Sequence, residues 1–200
     1  MGIDQNIRER PIFSMIKALN ILNSRNKRCQ IVEIGCMRQP CNHSILDYSH
    51  PCCNDGHSTL FWLLSGHDIS TCDIDPYAIS MANLIRQYTP DGTQYHIYNQ
   101  DGISFLQNWI GNKIDLLFLD GWDVGSDMCA ERHLDAYNAA LPHLSDNHLI
   151  LIDDTDVDYI NGECQFIDGA MAGKGRLLIP YLLNNGYKME FGGRQTLLSK

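Results

Sequence analysis

Four short apolar runs along the chain each end in a carboxylate or a glycine. They are Ile31–Gly35, Ile69–Asp73, Ile114–Asp120 and Leu149–Asp154. Apolar runs of about four to eight residues are typical of buried parallel strands, whose carboxyl ends form the ligand-binding edge of an open α/β sheet. We expect the following residues to converge at that edge: Glu33, Gly35, Asp73, Asp120, Asp153 and Asp154. Five acids together suit a hydroxyl-bearing ligand, a metal ion or both.

Helical spacing of apolar residues separates these strands. It predicts helices at 11–23, 58–65, 76–85, 101–109, 127–144 and 173–185, with a further strand at 95–98. Two alternating runs, Tyr187–Phe191 and Gln195–Ser199, flank Gly192-Gly193 and predict a closing hairpin. The pattern predicts one α/β domain over 1–200, with a Rossmann-like, seven-stranded, mostly parallel sheet, a C-terminal antiparallel hairpin and helices on both faces.

The regular pattern is interrupted once, by a long loop at 36–55 that follows the first strand. The preceding part of the chain, 1–28, is expected to be a helical segment that lies against the sheet. A βα loop usually takes about 2–6 residues, so an insertion of this length is either functional or poorly ordered. Five of the eight cysteines fall between 29 and 53. They lack Cys-x2-Cys spacing, so reduced thiols are favoured over a zinc site.

Composition limits the class of partner. The 200 residues contain 24 acids against 15 bases and carry a formal net charge of -9. This balance argues against nucleic acid as the main partner, because phosphate contacts need clustered Lys and Arg. No apolar stretch approaches the roughly 20 residues of a membrane span, and the first ten residues lack a signal-peptide core, so we expect a cytoplasmic protein without a membrane partner. Whether it forms a homo-oligomer is left open.

Polar residues after the first three strands suggest a nucleoside ligand. Gly35 allows close approach of a ligand to the backbone, and the helix after Gly56 and His57 offers unpaired N–H groups from Ser58 onward. Asp73 could accept two hydrogen bonds from a ribose diol, and Asp101 could meet an adenine amino group. The alternatives are a helix cap or loop acid for Asp73 and an N-cap for Asp101.

These motifs resemble, in their order and spacing, those of class I S-adenosylmethionine-dependent methyltransferases. The segments concerned are Glu33-Ile34-Gly35, Gly56-His57-Ser58, Asp73-Ile74-Asp75-Pro76 and Asp101, and the closing hairpin is also a mark of that fold. The resemblance covers roughly residues 28–200 and implies S-adenosyl-L-methionine as cofactor. The residues it implies at the cofactor are Glu33, Gly35, Gly56, His57, Ser58, Asp73, Ile74, Asp101, Gly102 and Asp120.

A narrower resemblance concerns metal. Leu119-Asp120-Gly121-Trp122 and Asp153-Asp154 are similar to the metal triad of the catechol-type and macrocin-type O-methyltransferases, which implies Mg²⁺ bound by Asp120, Asp153 and Asp154. A hard cation prefers carboxylate oxygens and can lower the pKa of a bound hydroxyl. The alternative is a metal-free site, since acids at these positions also occur in metal-free methyltransferases.

The catalytic base is less well defined by the resemblance. The catechol-type enzymes carry a lysine three residues after the first metal ligand, and this chain has Asp123 there. Asp123 could accept the proton or be a solvated loop acid, and His133 and Lys174 are further candidate bases.

Together, the resemblances imply an O-methyltransferase, Mg²⁺-dependent, that acts on a small hydroxylated molecule. Two alternatives stay open: a metal-free methyltransferase of unknown acceptor, and a non-catalytic binding protein that kept the fold. The second is suggested by the separation of Gly35 and Gly56, which divides the usual glycine-rich loop.

Overall fold

The structure is a computed structural model that describes residues 11–37, 57–167, 169 and 171–200. The helices of this part of the chain are α1 (Pro11–Asn23), α2 (Ser58–Leu63), α3 (Pro76–Leu84), α4 (Gly102–Gln107), α5 (Cys129–Ala140) and α6 (Leu178–Asn184). The strands are β1 (Gln30–Ile34), β2 (Asp68–Asp73), β3 (Tyr95–Asn99), β4 (Ile114–Leu119), β5 (Leu144–Ile152), β6 (Val157–Ile160), β7 (Glu163–Phe166), β8 (Lys188–Phe191) and β9 (Thr196–Ser199).

Seven of these strands form one sheet in the order β3-β2-β1-β4-β5-β9-β8. The five strands β1 to β5 are parallel, β9 is antiparallel to β5, and β8 is antiparallel to β9. The chain builds the sheet in one direction from β1 to β3 and in the other from β4 onward. The point of reversal therefore lies between β1 and β4, which is where open α/β sheets bind ligands. The predicted sheet and closing hairpin are confirmed.

The core lies on both faces of the sheet. Leu117 and Leu119 of β4 pack in a cluster with residues of α4, α5 and α6, whereas Leu116 and Phe118 pack in a second cluster with α1 and α2. Successive side chains of a strand point to opposite faces, so an unbroken apolar strand feeds both clusters. This arrangement confirms the prediction of helices on both faces.

Two predicted helices differ from the structure by more than their end residues, and the others agree to within two residues at each end. The helix predicted at 127–144 is α5 followed by a 3₁₀ turn at Leu141–His143, because Leu144 already begins β5. Leu141, in this turn, is exposed. The helix predicted at 173–185 is divided into a 3₁₀ turn, Gly173–Gly175, and α6, and Gly186 follows its end with φ +81°.

The hairpin β6–β7 was missed by the sequence analysis. Its turn is Asn161-Gly162, and both residues have positive φ, 55° and 84°. Asn-Gly between alternating residues is the strongest short-range hairpin signal, so the information was present in the sequence.

Some predictions fall outside the described residues. The loop at 36–55 is described only at Cys36 and Met37, which are both buried, and Gly56 and residues 1–10 lie outside the described ranges. Within those ranges, no helix has the length and apolar character needed to cross a membrane.

Candidate functional site

A cleft with a volume of about 540 Å³ opens at the carboxyl ends of the parallel strands. It lies where the sheet reverses direction, between the loops that follow β1 and β4. Its lining residues are Ile34, Gly35, Cys72, Asp73, Ile74, Asp75, Asp101, Gly102, Asp120, Gly121, Trp122, Asp123, Ser126, Asp127 and Arg132. Residues that follow β1, β2, β3 and β4 thus meet in one cleft, as their positions in the sequence predicted.

Gly35 lets two of these strand ends come close together. Its φ is +89°, and a Cβ on this residue would lie 2.7 Å from the carbonyl carbon of Asp120. The Gly35 N–H donates to the Cys72 carbonyl at 2.9 Å, and the Asp120 N–H donates to the Ile34 carbonyl at 2.8 Å. The floor of the cleft is therefore backbone that a side chain at position 35 would disrupt.

Asp73 is held at the cleft by two backbone donors. Its Oδ2 accepts from the Cys36 N–H at 2.9 Å, and its Oδ1 accepts from the Asp75 N–H at 2.8 Å. The cap of α3 is Asp75, whose Oδ1 accepts from the Tyr77 N–H, so Asp73 itself is not the helix cap. Ile74 follows Asp73 and exposes 69% of its surface, which provides an apolar surface beside the carboxylate.

Asp101 caps a helix and also lines the cleft. Its Oδ1 accepts from the Ser104 N–H at 2.9 Å and caps α4, and the residue also lines the cleft beside Gly102. A carboxylate oxygen has lone pairs for more than one donor, so the cap does not prevent a ligand contact.

Glu33 lies beneath the cleft and does not line it. The side chain is fully buried, with Oε1 accepting from Ser58 Oγ and Oε2 from Thr71 Oγ1, both at 2.7 Å. Burial raises the pKa of Glu33 to about 7, although these hydroxyl groups counteract the rise. His57 precedes α2, and neither it nor Ser58 is among the cleft-lining residues. Glu33 and Ser58 therefore support the end of β1 from below the cleft, whereas His57 only precedes the helix.

The three predicted metal ligands do come together. Ligand oxygens of Asp120, Asp153 and Asp154 all lie within 4.8 Å of one another. We call these three residues the acid cluster. Among the described residues, two cations contact it: Lys174 Nζ lies 2.6 Å from Asp120 Oδ1 and 3.1 Å from Asp154 Oδ2, and Arg194 Nη2 lies 2.5 Å from Asp154 Oδ1.

Asp153 differs from the other two acids of the cluster because it forms no ion pair among the described residues, whereas Asp120 and Asp154 pair with Lys174 or Arg194. Its Oδ1 is buried without a hydrogen-bond partner in the same part of the chain, and so is Asp154 Oδ1. Burial raises its pKa well above the ordinary value, and the neighbouring carboxylates of Asp120 and Asp154 add to this rise.

The surroundings of Lys174 argue against a role as general base. The residue is only 1% exposed, and Nζ also donates to the Asp120 backbone carbonyl at 3.2 Å. Burial alone would lower the pKa of Lys174, but the charges of Asp120, Asp154 and Asp153 outweigh that effect and raise it above its ordinary value. A protonated ammonium has no lone pair with which to accept a substrate proton.

His133 is also poorly placed as a base. Its Nδ1 donates to the Cys129 carbonyl at 2.7 Å, while Nε2 is buried and has no hydrogen-bond partner within the described part of the chain. Burial lowers the pKa of His133 to about 4, and its ring packs edge-to-face on Trp122 behind the cleft lining. Asp123, in contrast, is exposed and lines the cleft, so among the three predicted bases it alone faces the space where a substrate could lie.

Two residues near the site were not predicted to have a role. Arg194 contacts the acid cluster from the turn between β8 and β9, and Arg132 lines the cleft from α5. Neither position stands out in the sequence, because a single Arg in a turn or on a helix is common. Six aspartates line the described part of the cleft against this one Arg, so the cleft favours a cationic ligand.

Several solved structures with a similar fold are described as methyltransferases. A protein provisionally assigned as a caffeoyl-CoA O-methyltransferase of Staphylococcus aureus matches with a TM-score of 0.61 and 16% identity, over 96% of this chain and 84% of that chain. An O-methyltransferase of Bacillus cereus with S-adenosylhomocysteine bound has a TM-score of 0.59 and 11% identity, over 95% and 80% of the two chains.

A third similar structure is also described as a methyltransferase. The magnesium protoporphyrin IX methyltransferase of Synechocystis, also with S-adenosylhomocysteine bound, has a TM-score of 0.56 and 12% identity, over 94% of this chain and 82% of that chain. No family model and no curated protein matches the sequence. The chain therefore has the fold of class I S-adenosylmethionine-dependent methyltransferases.

Proposed function

We propose that this protein is an S-adenosyl-L-methionine-dependent methyltransferase that acts on a hydroxyl oxygen of a small molecule. The observation that carries the proposal is the acid-lined cleft at the reversal point of the sheet, formed by loops after four adjacent strands. Proteins of the same fold bind S-adenosylhomocysteine, and the charge of this cleft suits the positively charged sulfonium of the cofactor.

The cofactor would lie along the lining of this cleft. Asp73 would accept hydrogen bonds from the two ribose hydroxyls, and Ile74 and Asp101 would contact the adenine from the apolar and the polar side. Gly35 would let the amino-acid end of the cofactor approach the backbone, near Asp120. Glu33 and Ser58 would support this strand end from below.

Methyl transfer would then require an acceptor oxygen aligned with the bond between sulfur and the methyl carbon. The cofactor would supply the methyl group on its sulfonium, whose sulfur would keep the electron pair of the broken C–S bond, and the acceptor hydroxyl would lose its proton as the C–O bond formed. Asp123 faces the cleft and would take that proton. Alignment in a water-poor cleft supplies a large part of the rate in reactions of this kind.

The acid cluster as it stands does not fit a divalent ion. Asp120 and Asp154 are the two cluster residues that contact Lys174, and Arg194 takes the second oxygen of Asp154. Asp153 Oδ1 and Asp154 Oδ1 are both buried without a hydrogen-bond partner among the described residues, but an Arg194 nitrogen already lies 2.5 Å from Asp154 Oδ1. Since Mg²⁺ prefers an octahedral set of oxygen ligands, this arrangement favours the metal-free alternative over the Mg²⁺-dependent enzyme.

Isothermal titration calorimetry with S-adenosylhomocysteine tests the proposed cofactor. We expect binding by the wild type and affinity lower by about 10–100-fold in Asp73→Asn, because a charge-assisted hydrogen-bond pair contributes about 1.5–3 kcal/mol. Asp91→Asn, an exposed aspartate away from the cleft lining, is the matched control and should bind as the wild type does.

Two results would contradict this placement in different ways. Equal affinity in Asp73→Asn and wild type would show that the ribose lies elsewhere. Absence of any binding to the wild type would favour a non-catalytic protein that kept the fold.

A further inference from the structure

We propose that the ammonium of Lys174 is the resident cation of the acid cluster and takes the place of a divalent metal ion. Lys174 Nζ lies between Asp120 and Asp154, at 2.6 Å and 3.1 Å from their carboxylate oxygens. This inference depends on the geometry of the cluster alone. Only its consequence for methyl transfer rests on the proposed function.

The contacts of Lys174 lie inside the cluster. Its Nζ donates to Asp120 Oδ1 and to the Asp120 carbonyl, and it forms an ion pair with Asp154 Oδ2. The residue is only 1% exposed and is not among the residues that line the cleft. Lys174 is therefore a positioning residue, which holds the carboxylate of Asp120 where that residue lines the cleft.

Two cations already lie in the acid cluster without a metal ion. Lys174 and Arg194 together neutralise two of the three carboxylates. Asp153, the third acid, contacts neither cation at ion-pair distance among the described residues, and its Oδ1 is buried. A divalent ion bound by all three carboxylates would have to displace Lys174 from Asp120 and Asp154, and it would leave a buried ammonium unpaired.

The backbone around Lys174 directs its side chain into the acid cluster. The 3₁₀ turn at Gly173–Gly175 is joined to the segment after β5, because the Ala172 N–H donates to the Thr155 carbonyl at 2.9 Å. Gly173 has φ +46°, and a Cβ on it would lie 2.5 Å from the Asp154 carbonyl oxygen. Only glycine permits this close approach, which brings the next side chain into the cluster.

Two properties should follow if Lys174 is the cation of the acid cluster. The wild-type protein should not need a divalent ion for stability, and methyl transfer, where it is observed, should continue in the presence of a chelator. Removal of the ammonium should leave three carboxylates in mutual repulsion and so create a site that binds a hard cation.

Thermal unfolding with and without Mg²⁺ or Ca²⁺ at roughly millimolar concentration tests the inference, because a ligand of the folded state raises the melting temperature. We expect no shift in the wild type. Lys174→Met keeps most of the side-chain volume without the charge; it should melt at a lower temperature and recover several degrees on addition of either ion. Lys188→Met is the matched control, since Lys188 pairs with Glu190 at the surface, and it should behave as the wild type does.

A second measurement keeps the test decisive if Lys174→Met folds poorly. Tb³⁺ luminescence reports a hard trivalent cation at carboxylates, and Trp122 lies in the same cleft to sensitise it. A wild-type protein that gains a Mg²⁺-dependent rise in melting temperature or a Tb³⁺ signal, with both lost in Asp153→Asn, would overturn the inference. So would a folded Lys174→Met variant that binds no cation. Neither readout depends on S-adenosylhomocysteine, so a failure here differs from a failure of the proposed function.

Discussion

Carboxylates that look alike in the sequence have different surroundings in this protein. Glu33 accepts hydrogen bonds from two hydroxyl groups and is fully buried, whereas Asp73 accepts from two backbone N–H groups at the cleft. The negative charge of Asp120 is compensated by the buried ammonium of Lys174. The chemistry of each acid therefore depends on its donors and its burial, and position at a strand end alone does not determine it.

The buried carboxyl of Glu33 should make stability depend on pH. Its pKa rises from the ordinary 4.5 to about 7 in the folded state. The folded protein therefore holds this proton more tightly than the unfolded chain, and the stabilisation is complete below about pH 4.5 and lost as the pH rises to about 7. At about 1.4 kcal/mol for each pKa unit, the loss is of the order of 3 kcal/mol.

Glu33→Gln isolates this contribution. The variant keeps the shape of the side chain without a titratable proton, so its free energy of unfolding relative to wild type should increase between about pH 4.5 and 7 and stay constant above. Urea denaturation at several pH values measures the difference. Glu163→Gln, an exposed glutamate of β7, should show no such trend. A flat difference for Glu33→Gln would mean that Glu33 is ionised in the folded protein throughout this range.

The strand-to-loop junctions determine the shape of the cleft. Gly35 ends the first strand with positive φ and touches the backbone of the loop after β4. Asp75 and Asp101 cap the helices that follow β2 and β3, so the same loops that line the cleft also begin the helices. Changes in these loops should therefore affect stability and ligand binding together.

Gly35→Ala and Gly66→Ala separate backbone strain from close contact. Both glycines have positive φ, +89° and +80°, so alanine costs roughly 1–2 kcal/mol at either position. Only at Gly35 would the new Cβ meet other backbone, at 2.7 Å, whereas nothing lies within 4 Å at Gly66. We expect Gly35→Ala to be less stable than Gly66→Ala by a further 1–3 kcal/mol or so, measured by urea denaturation.

Ligand binding should follow the same order. S-adenosylhomocysteine affinity should fall in Gly35→Ala, because the floor of the cleft shifts, and remain unchanged in Gly66→Ala. Equal stability of the two variants would contradict the close approach of the loops after β1 and β4.

The net charge of the molecule and the acids at its cleft should favour a positively charged ligand over a neutral one of similar shape. The chain carries a formal net charge of -9, and six of the seven charged residues that line the described part of the cleft are aspartates. S-adenosylmethionine carries a sulfonium charge that S-adenosylhomocysteine lacks, although the two ligands are otherwise nearly identical in shape. The acidic cleft should attract the former more strongly at low ionic strength.

Calorimetry at about 0.05 M and about 0.5 M salt tests this preference. The affinity for S-adenosylmethionine should fall by roughly 3–10-fold over this range, and that for S-adenosylhomocysteine should change little, since screening acts on the charged sulfonium. The neutral ligand is the control for general effects of salt on the protein. An equal change for both ligands would show that the acids of the cleft do not act on the sulfonium.

Local patterns in the sequence were sufficient to predict most of the fold. Apolar runs such as Ile114–Leu119 determine which segments are buried as strands, and residues such as Asp101 and Gly186 mark where helices begin and end. These signals act within a few residues, so they can be read without knowledge of the rest of the chain. They also predicted that acids would meet at one edge, because strand direction alone places the ends of parallel strands together.

Only the tertiary structure decided what those acids contact. Lys174 lies 54 positions beyond Asp120 in the chain, and Arg194 reaches Asp154 from the turn between β8 and β9. Whether a cluster of carboxylates holds a metal ion or an ammonium depends on which side chain the intervening loops bring into it. The path of those loops results from contacts distributed over the whole fold, such as the close approach of Gly173 to Asp154. It therefore cannot be predicted from any short stretch of the sequence.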